Sequence, residues 1–417
     1  MPVRPVLLAC AALLGAAPVL GSVLGPILGS ASGSASAQET ARPRAAATEA
    51  AAVRRAITLM DRGLFDQARE ALEPLVAARD PDATYVLGYI HARGLGTPAD
   101  ETTARRLFVA AAMDGQPDAQ FALGELAYAG RGVRRDRARA YEWYDLAAAK
   151  GHPKALYMLG VMHAEGRHAP QDLTRAADLY ARAAAAGSAP AMHQLGVLHL
   201  EGRGVAQSYV EAARWFEAAA REGDAESQYN LALLHDSERL PGEPDLTTAV
   251  RWMRQAAASG MPRAQIAMGL FALRGRGTEQ SDEAARAWFA RAAEGGDAEG
   301  LFLHAAALAE GLGGEADRAG ALAQAEAALR ASAGEPIEVI AERRALRDQL
   351  RAALAVPRPA PTRGAPSAAR VAAVQMPEAE APPEEGAARI DRTPSLGTPP
   401  AVAAAPPMPP KRRNGLR

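Results

Sequence analysis

The chain has one cysteine, Cys10, in 417 residues. That excludes a disulfide scaffold and any zinc site built from thiolates. Aromatic residues make up only 5%. Charge of one sign is missing too: 47 basic residues face 48 acidic ones, for a net charge of −1. There is no global basic field to attract nucleic acid. Long hydrophobic runs are confined to residues 6–28. What the chain does have is alanine, 102 residues of it. Alanine is the strongest helix former and lets helices approach closely, so the expected class is all-α.

The two ends differ from the rest. Arg4 precedes the apolar stretch 6–28, and Ala35-Ser36-Ala37 follows it with small-x-small spacing. This reads as an export signal over 1–37, cleaved before Gln38, rather than as a retained span, because Pro18, Pro26 and a Ser/Gly-rich stretch interrupt it. Leu7-Leu8-Ala9-Cys10 resembles a lipoprotein processing site, but its apolar lead is too short. At the other end, 14 of the 30 prolines lie between Pro357 and Pro410, ahead of Lys411-Arg412-Arg413. Residues 356–417 are expected to be a disordered Pro/Ala-rich tail, a solvated spacer or a docking peptide.

Between the ends the sequence repeats. Equivalent starts fall at Ala83, Ala119, Ala155, Ala191, Ser227, Ala264 and Gly300, in steps of 36 residues with one of 37. Leu-Gly follows four and five residues later at Leu87-Gly88, Leu123-Gly124, Leu159-Gly160 and Leu195-Gly196, continuing as Leu231-Ala232 and Met268-Gly269. A glycine inside a helix costs about 1 kcal/mol against alanine, so its recurrence implies a gain, read as closer helix–helix approach. Gly-x-Gly pairs come next, at Gly94/Gly96, Gly130/Gly132, Gly202/Gly204 and Gly275/Gly277, suited to left-handed helix ends. Asp100, Asp136, Asp172, Ser208, Asp245 and Ser281 then supply N-caps. All four tryptophans, Trp143, Trp215, Trp252 and Trp288, share one column on the second helix, with an Ala-Ala pair after it. Each unit ends at a glycine: Gly115, Gly151, Gly187, Gly223, Gly260 or Gly296. No Lys-Ser/Thr follows the turn glycines, so they are not a phosphate-cradling loop.

The pattern Ala-x3-Leu-Gly-x5-Gly-x-Gly-Val, then Asp-x3-Ala-x2-Trp-x3-Ala-Ala-x2-Gly, resembles the Sel1-like repeat family, relatives of tetratricopeptide repeats. Ala119 to Gly151 matches it nearly throughout. The resemblance implies a right-handed α/α solenoid of about seven 36-residue repeats over 83–334. A tetratricopeptide-like helical cap is expected over 38–82 and a last helix over 335–355. Three departures stand out. His168 replaces a turn glycine, the fifth turn gains a residue with Pro241 and Pro244, and the seventh repeat has His304-Ala305 for Leu-Gly, as a capping repeat would.

Chemistry is sparse. His91, His163, His199 and His235 share a column, and stacked imidazoles suggest a metal ladder or pH sensor. Stacked helices sit roughly 10 Å apart, too far for rings of successive repeats to share one ion, so the column reads as packing. The tryptophan column reads as inter-repeat core rather than a ligand cage. No serine, histidine and acid fall at triad spacing, and no two carboxylates are paired for acid/base work. No catalytic, cofactor or metal residue is therefore assigned. If the first helix of each repeat lines the concave side, Tyr89, Glu125, Val161, Val197 and Leu233 would give a mixed polar and apolar groove.

The resemblance implies a non-catalytic periplasmic scaffold or adaptor for a protein or peptide partner in the cell envelope. No nucleic acid, no cofactor and no stable membrane insertion after signal cleavage are expected. One cysteine-rich branch of the family is associated with β-lactam hydrolysis, but it depends on paired cysteines that this chain lacks. A cell-wall or β-lactam-directed hydrolase and a secreted host-interaction factor are the alternatives.

Overall fold

A computed structural model describes residues 36–168 and 170–355, with side chains from residue 49. The expected signal, including Cys10, and the tail over 356–417 thus lie outside the described residues, apart from Ser36-Ala37. The expected cleavage before Gln38 falls in the first turn of helix α1 (Ser36–Asp61).

The described residues form 17 helices and no strand. After α1 and α2 (Phe65–Ala77) come repeated helical pairs. In the part of the chain up to Leu195 these are α3 (Pro81–Arg93) with α4 (Glu101–Met113), α5 (Pro117–Ala129) with α6 (Arg137–Ala149), and α7 (Pro153–Glu165) with α8 (Leu173–Ala185). From Gly196 a second unit holds α10 (Tyr209–Arg221), α11 (Ala225–His235) with α12 (Leu246–Ala258), α13 (Pro262–Arg274) with α14 (Asp282–Glu294), α15 (Ala298–Glu310) with α16 (Arg318–Ala331), and the final α17 (Ile337–Ala355). Helix α9 (Ala189–Glu201) runs through the boundary. This is an all-α solenoid of repeated helical pairs.

The helix ends follow from the caps. All six residues expected to open a second helix do so, each accepting a backbone N–H: Asp136 from Arg139, for example, at 3.0 Å. The first helices have caps that the sequence reading missed. Asp80, Gln116, His152, Asp224 and Asp297 each accept from the N–H three residues on. Pro81, Pro117, Pro153 and Pro262 occupy first-turn positions, where a missing N–H costs nothing. The turn glycines are left-handed, Gly130 at φ 73° and Gly132 at φ 64°.

The glycine inside each first helix needs a correction. It does not simply bring two backbones together; it seats an aromatic ring. A Cβ on Gly124 would lie 2.5 Å from Tyr144, and one on Gly160 2.5 Å from Tyr180. The same holds for Gly88 on Phe108, Gly196 on Phe216 and Gly269 on Phe289. Where the glycine becomes Ala232, the facing position is Met253; at Ala305 it is Ala325. Ala232 with Met253 thus roughly keeps the volume of the glycine–ring pair, whereas Ala305 and Ala325 are both small.

These rings sit one residue beyond the tryptophan column, which also corrects the core. Tyr144 and Phe216 are fully buried, whereas Trp143, Trp215 and Trp288 are only half-buried; Trp252 alone is buried. Alanine pairs complete the core, with Ala147, Ala183, Ala219, Ala256 and Ala292 all at 0% exposure. Glutamines on the first helices staple neighbouring repeats. Gln120 Nε2 donates to the Ala112 carbonyl, Gln228 Nε2 to Ala220 and Gln265 Nε2 to Ala257, each at 3.1 Å. They satisfy carbonyls that a helix C-terminus leaves open.

The departures resolve locally. His168 needs no left-handed backbone, since Arg79 is the one non-glycine with positive φ among the described residues. The fifth turn does differ: α11 ends early at His235, on a right-handed Asp236. The seventh repeat keeps a full turn, with Gly311 and Gly313 both left-handed. At the start, Val53, Ala56 and Met60 of α1 pack with Leu72 of α2 and Ile90 of α3. Among the described residues no helix is long and apolar enough to cross a membrane.

Candidate functional site

The second repeat carries a surface cavity of about 700 Å³. Its walls come from α4, α5, the turn that follows and the start of α6. The turn is fixed at both ends: Gly130 caps α5, Asp136 caps α6, and the Asp136 N–H donates to the Ala127 carbonyl at 2.9 Å. That closure projects Arg134, Arg135, Arg137 and Arg139 around the opening, with Arg105 reaching across from α4. The floor is apolar, with buried Leu123, half-buried Trp143 and an exposed Val109 at the rim. The one acid in the lining, Asp136, already accepts the Arg139 N–H as the helix cap. The site therefore combines positive charge with an apolar floor, suited to binding and not to proton transfer.

Two of the five arginines have structural work. Arg105 Nη1 donates to the Gly132 carbonyl at 2.9 Å, and Arg135 Nε to the Tyr128 carbonyl at 3.1 Å. Arg137 presents the opposite case, with a buried Nε that meets no hydrogen-bond partner among the described residues.

The histidine column forms no ladder. Its shared role lies in the backbone: His91, His163 and His199 accept the N–H of Asp100, Asp172 and Ser208, each at 2.9 Å. The side chains part ways. His163 Nε2 lies 3.2 Å from Tyr141 Oη, and His199 Nδ1 lies 3.2 Å from the Ala206 carbonyl. Burial lowers the pKa of both His163 and His235. Among the described residues no three His, Cys, Asp or Glu side chains gather to hold a metal.

Tryptophans pair with guanidinium groups rather than forming a cage. Arg214 lies 4.9 Å from the Trp215 ring, Arg251 5.2 Å from Trp252 and Arg291 4.6 Å from Trp288. Of the expected groove positions, Tyr89, Glu125, Val197 and Leu233 are half-buried and Val161 is buried. Glu125 is tied down, accepting from Tyr144 Oη at 2.5 Å. Burial raises the Glu125 carboxyl, and burial with the adjoining carboxylate pushes the Tyr144 phenol far above its ordinary range. Neither group is left to act on a substrate. The arginine-lined cavity was not among the expected sites, although RGVRRDRARA, residues 131–140, marks it in the sequence.

Comparison with known proteins agrees with this architecture. No curated protein matches the chain. Among solved structures, a Sel1 repeat protein from Oxalobacter formigenes is 28% identical, with a TM-score of 0.55 over 76% of this chain and 91% of its own. The antigen c5321 of uropathogenic Escherichia coli, a protective antigen displaying an SLR fold, is 25% identical, with a TM-score of 0.57 over 72% of this chain and 69% of its own. The Sel1 repeat model matches residues 81–116, 117–152, 153–188, 189–224, 225–261 and 262–297. The pair α15/α16 after them folds as a seventh unit beyond the matched stretch. Proteins built from these repeats are generally protein–protein interaction scaffolds. With six consecutive matches covering just over half of its length, and the glycine-on-ring joint recurring beneath them, the chain belongs to the Sel1 repeat family.

Proposed function

We propose that this protein is a non-catalytic, periplasmic interaction scaffold that regulates an envelope signalling or assembly partner. The observation that carries the reading is the contrast between a uniform interior and a varied surface. The glycine-on-ring joint recurs in five repeats, whereas Arg134, Arg137 and Arg139 at the second-repeat cavity give way to Ala206, Tyr209 and Glu211 in the fourth repeat. Stacked repeats that share the same internal joint offer an extended surface whose local chemistry can change unit by unit. Glu125 and Asp118 fit the same reading, because they are held in hydrogen bonds to Tyr144 and His152. Export is supported by Arg4, the apolar run 6–28 and Ala35-Ser36-Ala37. Residues 356–417 would serve as a spacer or as a docking peptide for the partner.

Crosslinking of the full chain in the native cell envelope tests this. The expected result is one recurrent protein partner from the periplasmic fraction. Protein found in the culture medium instead, with no envelope partner, would favour the host-interaction alternative.

A further inference from the structure

The arginines around the second-repeat cavity can be sorted by what the other repeats do at the same places. Arg135 stands where Gln171, Gln207 and Gln280 stand, and all four side chains donate to a carbonyl near the end of the preceding helix. Arg105 has a counterpart in Arg286, which likewise reaches a carbonyl of the next turn, that of Glu315. These two arginines belong to the repeat's own construction.

Arg134, Arg137 and Arg139 do not. The fourth repeat has Ala206, Tyr209 and Glu211 at those positions, and the sixth has Glu279, Asp282 and Ala284. Those repeats form the same turn with uncharged or acidic residues, so the turn does not need the positive charge. Among the described residues, no carboxylate forms an ion pair with any of the three. Bringing several arginines around one cavity, with only the cap carboxylate of Asp136 in the lining to offset them, is unfavourable, and burying the Arg137 Nε without a partner adds to that. An anionic occupant relieves the crowding of positive charge. The apolar floor of Leu123 and Trp143 selects further, because a free inorganic anion makes no use of it.

Resting on the scaffold reading, we infer that the second-repeat cavity is a docking site for an extended acidic peptide of the partner protein, its carboxylates on Arg134, Arg137 and Arg139 and one apolar side chain against Leu123 and Trp143. Guanidinium groups suit this task, since each can present paired donors to a carboxylate.

The test uses the full chain and a labelled short peptide of alternating glutamate and leucine. Binding is followed by fluorescence anisotropy beside the glutamine-for-glutamate peptide, inorganic polyphosphate and anionic vesicles. The expected result is binding of the acidic peptide that weakens with salt and falls about tenfold or more in Arg134→Gln/Arg137→Gln/Arg139→Gln. Thermal melting checks that this variant folds, and Arg134→Glu alone, at an exposed position, gives the same reading if it does not. Peptide binding that ignores these substitutions overturns the inference. So does equal binding of the glutamine peptide, or preference for polyphosphate or vesicles. Envelope crosslinking separates the two levels. Equal capture of a partner by wild type and variant overturns the acidic-peptide site and leaves the scaffold standing; capture by neither contradicts the scaffold itself.

Discussion

Gly196 and Phe216 are a matched pair: a Cβ placed on the glycine would lie 2.5 Å from the ring's Cδ1 and Cε1. Phe216 is fully buried, so the ring has nowhere to retreat. Gly196→Ala gains about 1 kcal/mol of helix propensity and meets an overpacking cost of roughly 1–3 kcal/mol. We expect net destabilisation by denaturant titration. The fifth repeat supplies the compensation, since Ala232 faces Met253 there. Gly196→Ala/Phe216→Met should recover much of the loss, and strictly additive effects would argue against the pairing.

Two tyrosines in the ring column should respond oppositely to loss of the hydroxyl. Tyr144 Oη donates to Glu125, whereas Val161 stands at the corresponding place beside Tyr180, whose buried Oη meets no partner among the described residues. Tyr180→Phe should stabilise the protein by about 1 kcal/mol, and Tyr144→Phe should cost about 1–2 kcal/mol. Thermal melts of the two variants compare them directly.

Acid should weaken the fold through its histidines. Burial holds His163, His235 and His304 below the ordinary histidine range. At His163 the Arg175 charge adds to burial and Asp172 opposes it. The folded state keeps these rings neutral while the unfolded chain takes up protons near pH 6.5. Their contribution is thus complete above about pH 6.5 and declines as pH falls from there toward the lowered folded values. Urea midpoints across this range should fall, and fall less in His163→Gln/His235→Gln.

A buried cation helps hold the last helix, beside Leu350, which packs with Leu308 and Ala325. Arg343, 4% exposed, donates from Nη1 to Ser332 Oγ and to Glu335 Oε2. Arg343→Ala leaves those acceptors behind and should cost about 3 kcal/mol. Hydrogen exchange should rise within 337–355 while α5 and α7 keep their protection.

The repeat was legible because caps, turn glycines and alanine pairs are local devices that recur at fixed spacing. The reason for the helix glycine was not. Trp143 and Tyr144 are adjacent and both apolar enough for a core, and only the facing Gly124 decides which ring goes inside. The first-helix caps were obscured by variety, since Gln116 and His152 are less usual at that position than Asp80. The arginine cavity was visible as a run of charge, but its closure needs Arg105 from the preceding repeat, which no local pattern reveals.

The central claim is that this chain binds and does not catalyse. The direct measurement is turnover of a chromogenic β-lactam and of purified peptidoglycan by the full chain. The account predicts rates at background for both. Turnover that disappears when a repeat-surface residue is substituted, in a variant that still folds, would contradict it.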